Sequence, residues 1–406
     1  MEGWNSDILI NLLDTLIDYR GKTPKKTSSG VPLVTAKIIK GGRILPFEEF
    51  IAENDYDSWM VRGLPQPGDV VLTTEAPLGE VAQLDNTKVA LAQRIVTLRG
   101  KKGILDNTYL KYFLQSDIGR KRLTARETGT TVTGIKQSEL RRVEISYPDF
   151  ETQCRIASIL KSMDDKIAIN NRINHNLEEQ AQALYKSWFV DFEPFKGGKF
   201  VDSELGMIPK GWRVLPFLSV ARLCSGGTPK TDQKEFWNGS IPFFTPKDVG
   251  DSAFCLSTEK TITEEGLKNC NSSLYKAFTT FITARGTVGK LCMAGVPMAM
   301  NQTNYAICPA SNIDVITLFL ITKQLINSLR NKANGAVFDA ITTRDFDGEK
   351  VTIAPQGVMD TFSSVVHPIY ESILQNEMKN ASLSQLRDSL LPKLMSGDFI
   401  TSDIPC

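Results

Sequence analysis

The sequence predicts a protein of mixed α and β structure (α+β) with a pseudo-two-fold internal repeat. Three observations lead to this prediction. Short motifs recur in the same order 205 to 210 residues apart, and each copy ends in a long segment with heptad spacing. Between these segments, strand-like and helix-like runs do not alternate in the strict order of a doubly wound sheet. We therefore expect two globular units and two long helices.

Composition narrows the class of protein. The chain has 406 residues, 41% hydrophobic and 23% charged, which is typical of a protein with two or three globular domains. The net charge of +1 means that any nucleic-acid binding must depend on local basic clusters. The sequence has no apolar run long enough for a membrane span, and its N-terminal region lacks the basic residues of a secretory signal, so we expect neither feature. Seven scattered cysteines are typical of a reducing cytoplasm, and two histidines argue against a histidine-based metal site or triad.

The repeat rests on four pairs of motifs whose order is preserved. They are residues 20–24 (RGKTP) with 225–229 (SGGTP), 31–37 (VPLVTAK) with 241–247 (IPFFTPK), 71–79 (VLTTEAPLG) with 281–289 (FITARGTVG), and 128–135 (TGTTVTGI) with 334–341 (NGAVFDAI). Each match is weak alone, but collinear matches indicate two copies of one unit.

Within the units, strand-like runs are short. We predict strands in residues 67–72, 93–98, 277–282 and 305–308, and amphipathic helices in residues 109–123 and 316–329.

A long heptad seam follows each unit. It runs from Ile156 to Trp188 and again from Phe362 to Leu394, with spacings of four and three residues. Each seam has two asparagines at its centre, Asn170 and Asn174 in the first and Asn376 and Asn380 in the second. Central polar layers meet only when antiparallel helices align about their midpoints, so we expect the helices to pair through these asparagines. In the alternative, each helix caps its own domain.

A basic cluster precedes the first helix. Eight lysines and arginines lie between Lys111 and Arg142, against three acids, and they surround the loop of residues 129–134 (GTTVTG). Hydroxyl groups and backbone N–H groups beside Lys and Arg suit phosphate oxygens. A solvated charged surface is the alternative, and the second copy is less basic.

Catalytic motifs are mostly missing. Residues 286–290 (GTVGK) resemble the end of a phosphate loop but lack its first glycine and its Ser or Thr, and no dinucleotide or methyl-donor fingerprint is found. Asp149, Asp164 and Lys166 fit the spacing of a metal-dependent nuclease. However, Asp164 and Lys166 fall on different faces of a helix, and the simpler interpretation is solvated charges beside the seam.

Several stretches together resemble a known family. They are residues 202–212 (DSELGMIPKGW), 225–229 with 238–242 (NGSIP), 129–135 with Pro148, the end of the first long helix, and residues 383–397 (LSQLRDSLLPKLMSG). This combination is similar to the specificity subunits of type I restriction–modification systems. The first copy departs from the pattern, since it lacks the IPxGW run.

The resemblance implies two target-recognition domains separated by two antiparallel coiled-coil helices. On this basis residues 1–148 and 211–354 are the recognition domains, 149–192 and 355–399 are the spacer helices, and 193–210 form a linker. Each domain would read one half of a split DNA sequence in the major groove. The 33 residues from Ile156 to Trp188 span about 50 Å as a helix, enough to set the 34–36 Å between two half-sites.

The resemblance also implies partners. Two modification subunits would bind S-adenosylmethionine and methylate adenine, and restriction subunits would use ATP and Mg²⁺ for translocation and cleavage. This chain would be a cytoplasmic, non-catalytic DNA-binding subunit that holds no cofactor or metal itself.

Base and phosphate contacts are expected from polar and basic side chains on loops. The candidates for base contacts are Lys37, Arg94, Lys136, Lys247, Arg285, Gln302 and Arg344, and the candidates for phosphate contacts are Thr130 and Thr133. Two alternatives remain open at this point: a nuclease that uses Asp149, Asp164 and Lys166, and a coiled-coil scaffold that does not bind DNA.

Overall fold

The structure is a computed structural model that describes residues 3–129, 133–285, 288–332 and 340–398. The chain divides into two compact units. Unit 1 comprises residues 1–167 and 382–406, and unit 2 comprises residues 168–381. Thr130 lies outside the described residues. Each unit is larger than the recognition domain expected from the sequence, because it includes segments of both long helices.

Unit 1 contains twelve strands among its described residues. They are β1 (Asn5–Ile8), β2 (Leu13–Asp18), β3 (Lys26–Thr27), β4 (Val31–Val34), β5 (Ile39–Lys40), β6 (Arg43–Ile44), β7 (Phe50–Ile51), β8 (Val70–Thr74), β9 (Leu78–Gln83), β10 (Ala90–Leu91), β11 (Ile95–Gly100) and β12 (Glu144–Tyr147). Its helices are α1 (Leu9–Leu12), α2 (Tyr56–Trp59), α3 (Asn107–Gln115), α4 (Asp117–Thr124), α5 (Gln137–Leu140) and the first part of α6 (Phe150–Phe189), with 3-10 turns at Ala36–Ile38 and Glu53–Asp55.

Two sheets form the body of unit 1. The larger has the order β2-β11-β8-β9, with every neighbouring pair antiparallel. All five residues of β8 are buried, as expected for the apolar run that the sequence places there. The second sheet has the order β10-β4-β7-β3, in which β10 and β4 run parallel. β1 pairs with β12, which brings the start of the chain next to the strand that precedes α6.

Unit 2 repeats this plan. Its strands are β13 (Phe200–Val201), β14 (Ile208–Pro209), β15 (Arg213–Pro216), β16 (Ala221–Ser225), β17 (Trp237–Phe244), β18 (Phe254–Cys255), β19 (Lys260–Ile262), β20 (Thr280–Thr283), β21 (Leu291–Ala294), β22 (Ala299–Met300), β23 (Asn304–Pro309) and β24 (Lys350–Ile353). Its helices are α7 (Phe217–Val220), α8 (Glu264–Lys268), α9 (Val315–Lys332), α10 (Thr343–Asp347) and most of α11 (Gln356–Ser396), with 3-10 turns at Glu193–Phe195, Lys234–Phe236 and Pro246–Asp248.

Most of the strand pairings of unit 1 recur in unit 2. The order β16-β23-β20-β21 matches β2-β11-β8-β9, with β18 added beside β21. The parallel pair of β17 and β22 matches β4 and β10, and the pair of β15 and β24 matches β1 and β12. The collinear motifs of the sequence therefore correspond to one topology present twice.

The predicted helix over residues 109–123 is interrupted at Ser116. The Ser116 hydroxyl accepts a hydrogen bond from the backbone N–H of Gly119 at 3.2 Å and caps the N-terminus of α4. A Cβ at Gly119 would lie 2.0 Å from the Phe113 carbonyl oxygen, so the close turn requires glycine. The prediction of one continuous helix was wrong because a serine cap and a glycine ended it locally.

The long helices pair within unit 2 through their central asparagines. Asn170 donates to Asn380 at 2.8 Å, and Asn376 donates to Asn174 at 2.9 Å. Residue numbers rise along α6 as they fall along α11, so these two segments are antiparallel. The pairs are extended by Asn174 to Glu377 at 3.0 Å and by Asn380 to Asn171 at 2.7 Å.

Apolar packing in each unit includes the helix segments assigned to it. In unit 1, Ile156 and Leu160 of α6 and Leu394 of α11 belong to the same buried cluster as the residues of α3. In unit 2, Tyr185 and Phe189 of α6 pack with Phe362 of α11. Along the described part of the chain, no helix combines the length and the apolar character needed to cross a bilayer.

Candidate nucleic-acid interface

A cleft of about 650 Å³ opens in unit 1 where several loops converge. The loops are the one that contains the RGKTP motif, the turn after β4, the turn after β8 and the turn before β11. Four basic side chains and two acidic ones line the cleft, together with smaller polar and apolar groups. The charged residues are Lys26, Lys37, Lys40, Arg94, Glu49 and Glu80. The sequence-predicted residues Lys37 and Arg94 are thus brought together in one site.

Lys37 is exposed and forms an ion pair with Glu48. The hydrogen bond that Lys37 donates to the Glu48 carboxylate raises the pKa of Lys37 above its usual value, so the ammonium is charged at neutral pH. Its position follows β4, whose buried residues hold the turn against the core. A charged amine at the edge of an open cleft is suited to a phosphate oxygen.

Arg94 lies on the turn before β11 with a φ of 71°, in the left-handed region that favours glycine. Its backbone carbonyl accepts a hydrogen bond from Thr74 at 2.8 Å, and its side chain lies 2.9 Å from the Glu75 carboxylate. Neither side chain is enclosed: the side chain of Arg94 is 52% exposed and that of Glu75 is 39% exposed. The pair therefore lies at the surface, where a DNA base could reach it.

Beside this cleft, backbone hydrogen bonds join Thr128 to Gly134 and hold Gly134 and Ile135 against the end of β8. Gly134 forms an antiparallel bridge with Glu75, and Ile135 donates its N–H to the Thr74 carbonyl at 2.9 Å. Arg20 reaches the Ile135 carbonyl at 2.6 Å while it pairs with Asp18. Thr133 and Lys136, on either side of Gly134 and Ile135, are exposed, and Lys136 is the N-cap residue of α5.

The corresponding surface of unit 2 uses the SGGTP motif. The Gly227 N–H donates to the Met300 carbonyl at 3.1 Å, and Thr228 hydrogen-bonds the side chain of Gln302. A Cβ at Gly226 would lie 2.2 Å from the Asn301 carbonyl oxygen. The first glycine is thus required for a close backbone contact that brings Thr228 to Gln302.

The remaining candidates of unit 2 are also on its surface. Lys247 is exposed on the 3-10 turn after β17, which is closed by a capping box of Thr245 and Asp248. Arg285 is exposed just after β20, and Arg344 is exposed on α10. Arg285 forms a backbone bridge with Ala340, as Glu75 does with Gly134. The structure therefore places Arg285 in unit 2 at the position that Glu75 occupies in unit 1.

Some members of the basic cluster do not have the predicted surface position. Lys111 is buried and only 7% exposed, so its assignment to a phosphate-binding surface was wrong. Arg126 pairs with Glu139 at 3.1 Å, and Arg122 donates to the Glu144 carbonyl at 2.8 Å. Arg120, Lys121 and Arg141 are exposed. Charge counting overestimated the cluster because Lys111 lies on the buried side of α3 and because Arg122 and Arg126 are engaged by groups of unit 1.

The interpretation of Asp164 as a solvated charge was also wrong. One carboxylate oxygen accepts from the Tyr112 hydroxyl at 2.7 Å and the other from Arg387 at 2.6 Å, with Lys111 at 3.3 Å. Burial alone would raise the pKa of Asp164, but the charge of Lys111 and the hydrogen bonds from Tyr112 and Arg387 outweigh it and lower the pKa. Burial lowers the pKa of Lys111 despite the nearby carboxylate.

The nuclease alternative is not favoured by this geometry. The Asp149 carboxylate caps the start of α6 by accepting from the N–H of Thr152 at 3.0 Å and its hydroxyl at 2.7 Å. Lys166 is exposed, and Asp164 is occupied by Tyr112 and Arg387. Among the described residues, no group of three or more His, Cys, Asp or Glu side chains is arranged to hold a metal ion.

Sequence reasoning missed two polar groups at the cleft of unit 1. Gln93 lines the cleft next to Arg94, and Glu75 pairs with Arg94. The repeat contained a signal for both, since Gln93 aligns with the candidate Gln302 and Glu75 aligns with the candidate Arg285. The signal was overlooked for Glu75 because acids are not expected near phosphates.

Comparison with known proteins gives a consistent result. A family described as "Type I restriction modification DNA specificity domain" matches residues 26–179 and 209–371. The type I restriction enzyme MjaIX specificity subunit of Methanocaldococcus jannaschii is 30% identical over 363 residues, covering 88% of this chain and 83% of that protein. The HindI specificity subunit of Haemophilus influenzae is 24% identical over 356 residues, covering 73% of this chain and 76% of that protein.

The fold is also found in a crystal structure. The S subunit of a type I restriction–modification system from M. genitalium superposes with a TM-score of 0.64 at 16% identity, covering 96% of both chains. At that identity the likeness concerns the fold alone. The two matched family segments fall on the two copies of the repeat.

Proposed function

This chain belongs to the family of type I restriction–modification DNA specificity subunits, and from that premise we propose that its two units each read one half of a divided DNA target. It is a DNA sequence-specificity subunit of such a system. The proposal assigns recognition to residues 1–148 and 211–354. The two half-sites differ in sequence because the two copies differ in the side chains on their loops.

The observation that carries the proposal is a shared loop framework in both units. The loop after β8 and the loop after β20 are fastened by equivalent backbone hydrogen bonds, Ile135 to Thr74 and Ile341 to Ala284, each 2.9 Å long. In unit 1 this framework surrounds a cleft lined by Lys26, Lys37, Lys40 and Arg94. A framework fastened in this way, with exposed cations, suits a DNA backbone, while the side chains that differ between the copies suit base edges.

Partner subunits supply the chemistry in this proposal. A specificity subunit acts within a type I complex, and we assign adenine methylation to modification subunits that bind S-adenosylmethionine. Two such subunits, one for each half-site, match the internal repeat. ATP-driven translocation and Mg²⁺-dependent cleavage are assigned to restriction subunits, and this chain is assigned no catalytic step.

We further propose that α6 and α11 form a coiled-coil spacer. The antiparallel asparagine contacts of unit 2 support the pairing. α6 has 40 residues, or about 60 Å of helix, which exceeds the 34–36 Å between half-sites one helical turn apart. A matched insertion of seven residues in both helices is expected to widen the gap between half-sites, and an unchanged gap would contradict the spacer role.

The test is to map methylated adenines genome-wide in cells that express this chain with its modification partner and in cells that lack this chain alone. We expect a bipartite motif with two different half-sites that disappears without the chain. Methylation that is independent of the chain would refute the proposal, and so would a single continuous motif that is not divided into two half-sites. If the chain were only a scaffold without DNA contacts, replacing the cleft residues would leave the methylation motif unchanged.

A further inference from the structure

One position carries opposite charges in the two copies of the repeat. Glu75 follows β8 and bridges Gly134, and Arg285 follows β20 and bridges Ala340. The preceding residues make matching contacts as well: the N–H of Thr74 donates to the Arg94 carbonyl at 2.8 Å, and the N–H of Ala284 donates to the Thr303 carbonyl at 3.0 Å. Backbone contacts on both sides thus identify Glu75 and Arg285 as equivalent positions.

The neighbour of this position changes with it. In unit 1, Arg94 lies 2.9 Å from Glu75, so the pair has no net charge. In unit 2 the residue equivalent to Arg94 is Thr303, whose hydroxyl and N–H both bind the Asn301 side chain, at 2.8 and 3.1 Å. In unit 1 the Glu75 carboxylate therefore has an arginine beside it. In unit 2 the position equivalent to that arginine is a threonine.

Two other positions of the framework have the same residue in both copies. Gln93 directly precedes Arg94, as Gln302 directly precedes Thr303, and Lys37 and Lys247 occupy equivalent turns. Groups that both copies share are suited to contacts that every DNA sequence offers. A group that inverts its charge between copies is suited to a contact that differs between half-sites.

An acid at a DNA surface needs a specific reason. Its charge is repelled by phosphates, and this repulsion is offset only by a counter-charge and by a base that donates a hydrogen bond. Arg94 provides the counter-charge. In the major groove, Asp and Glu accept from the cytosine N4 amino group, and Arg donates to guanine O6 and N7.

We propose that Glu75 and Arg285 are paired specificity determinants, with Glu75 reading a cytosine in the half-site of unit 1 and Arg285 reading a guanine in the half-site of unit 2. The inference rests on the proposed function. It assigns Arg94 to phosphate contact and to neutralising Glu75, not to base selection. The two half-sites then differ at least at this position.

The experiment compares methylation motifs for the wild type, Glu75→Gln, Arg94→Gln and Arg285→Gln, each expressed as the full chain with its modification partner. Glutamine favours adenine through N6 and N7, so Glu75→Gln should change one cytosine to adenine in one half-site. Arg285→Gln should relax one guanine in the other half-site. We expect about a tenfold or larger loss of preference at that one position. Arg94→Gln should lower methylation with the motif unchanged.

The matched control is Glu48→Gln, which removes an exposed acid that also pairs with a cation at the cleft, Lys37. It should leave every base of the motif unchanged. The unaltered half-site in each variant shows that the chain has folded. If Glu75→Gln gives no methylation at all, the decision passes to Arg285→Gln in the other unit.

Three results would overturn the inference. They are an unchanged motif in both Glu75→Gln and Arg285→Gln, changes in both half-sites from one substitution, and the same base change from Arg94→Gln as from Glu75→Gln. The last would make Glu75 a residue that only positions Arg94. A wild type without any bipartite motif would instead refute the proposed function, so the two failures are distinguishable.

Discussion

The Asn170 side chain donates a hydrogen bond to the Asn380 side chain at 2.8 Å, between residues 210 positions apart in the sequence. Both are buried, with 2% and 7% of their surface exposed. A polar pair in an apolar helix seam contributes less to stability than leucines would, but it favours one alignment because any other leaves amides without partners. The pair therefore fixes the register of α6 against α11 in unit 2.

Replacing one asparagine of this pair should destabilise unit 2. We expect Asn170→Leu to lower the free energy of unfolding by about 1–3 kcal/mol, because the Asn380 amide then loses a buried partner. Asn170→Leu combined with Asn380→Leu should cost less than the sum of the two single changes. Urea denaturation of the four variants measures this coupling.

Asn176 provides the control for this cycle. It lies on the same helix and is exposed, so Asn176→Leu should change the stability by no more than about 0.5 kcal/mol. Additive effects of the two buried replacements would contradict a direct interaction between Asn170 and Asn380.

Asp164→Asn should destabilise unit 1 at neutral pH. The substitution keeps the shape of the side chain but leaves Lys111 and Arg387 without their common carboxylate. Breaking a buried ion pair in this way costs roughly 3–5 kcal/mol. The neighbouring Asp165 pairs with Lys161 at the surface, so Asp165→Asn should cost about 1 kcal/mol or less.

The effect of Asp164 should depend on pH in a defined direction. Its pKa is lower in the folded chain than the unfolded value of about 3.9. The stabilisation is therefore fully present above about pH 4 and is lost as the pH falls through the folded pKa. Urea denaturation of the wild type and Asp164→Asn at neutral and acidic pH should show a difference that shrinks in acid. An undiminished difference at low pH would mean that the carboxylate charge is not responsible.

The repeat was readable from the sequence because both copies preserve the order of their motifs, and a preserved order requires a preserved path of the chain. The heptad positions likewise predicted which asparagines could meet. The environment of Asp164 could not be predicted in this way. Its partner Arg387 is 223 residues distant in the sequence, and Lys111 and Tyr112 lie on α3, outside the heptad seam. Local periodicity describes one helix and carries no information on what packs against it.

The cleft was predicted only in part for a similar reason. Lys37 and Arg94 were singled out by residue type, and the structure places both at one opening. Glu75 was not, because the repeat indicated only its equivalence to Arg285 and not its pairing with Arg94, which lies 2.9 Å away on another turn. Which turns lie next to each other depends on the order of the strands in the sheet. That order could not be deduced from short strand-like runs.

Gly226→Ala should disable the recognition surface of unit 2. The added methyl group would lie 2.2 Å from the Asn301 carbonyl and 2.4 Å from that of Met300, so the loop must move away from Gln302. We expect at least a tenfold loss of affinity of the chain, in complex with its modification partner, for target DNA. Gly250 has open space around its Cβ position, and Gly250→Ala should bind normally. Wild-type binding by Gly226→Ala would show that the loop has no role in recognition.

Lys37→Ala should weaken DNA binding without changing the recognised sequence. If the Lys37 ammonium neutralises one phosphate, its loss lowers the slope of log K against log salt concentration by about 0.9, for target and non-target duplexes alike. Titrations at several salt concentrations measure the slope. Lys88 is a fitting control, because it is also exposed and also paired with an acid, Glu53, but does not line the cleft. The assignment of the cleft to the DNA backbone requires a smaller slope for Lys37→Ala than for Lys88→Ala, and equal slopes would exclude a phosphate contact by Lys37.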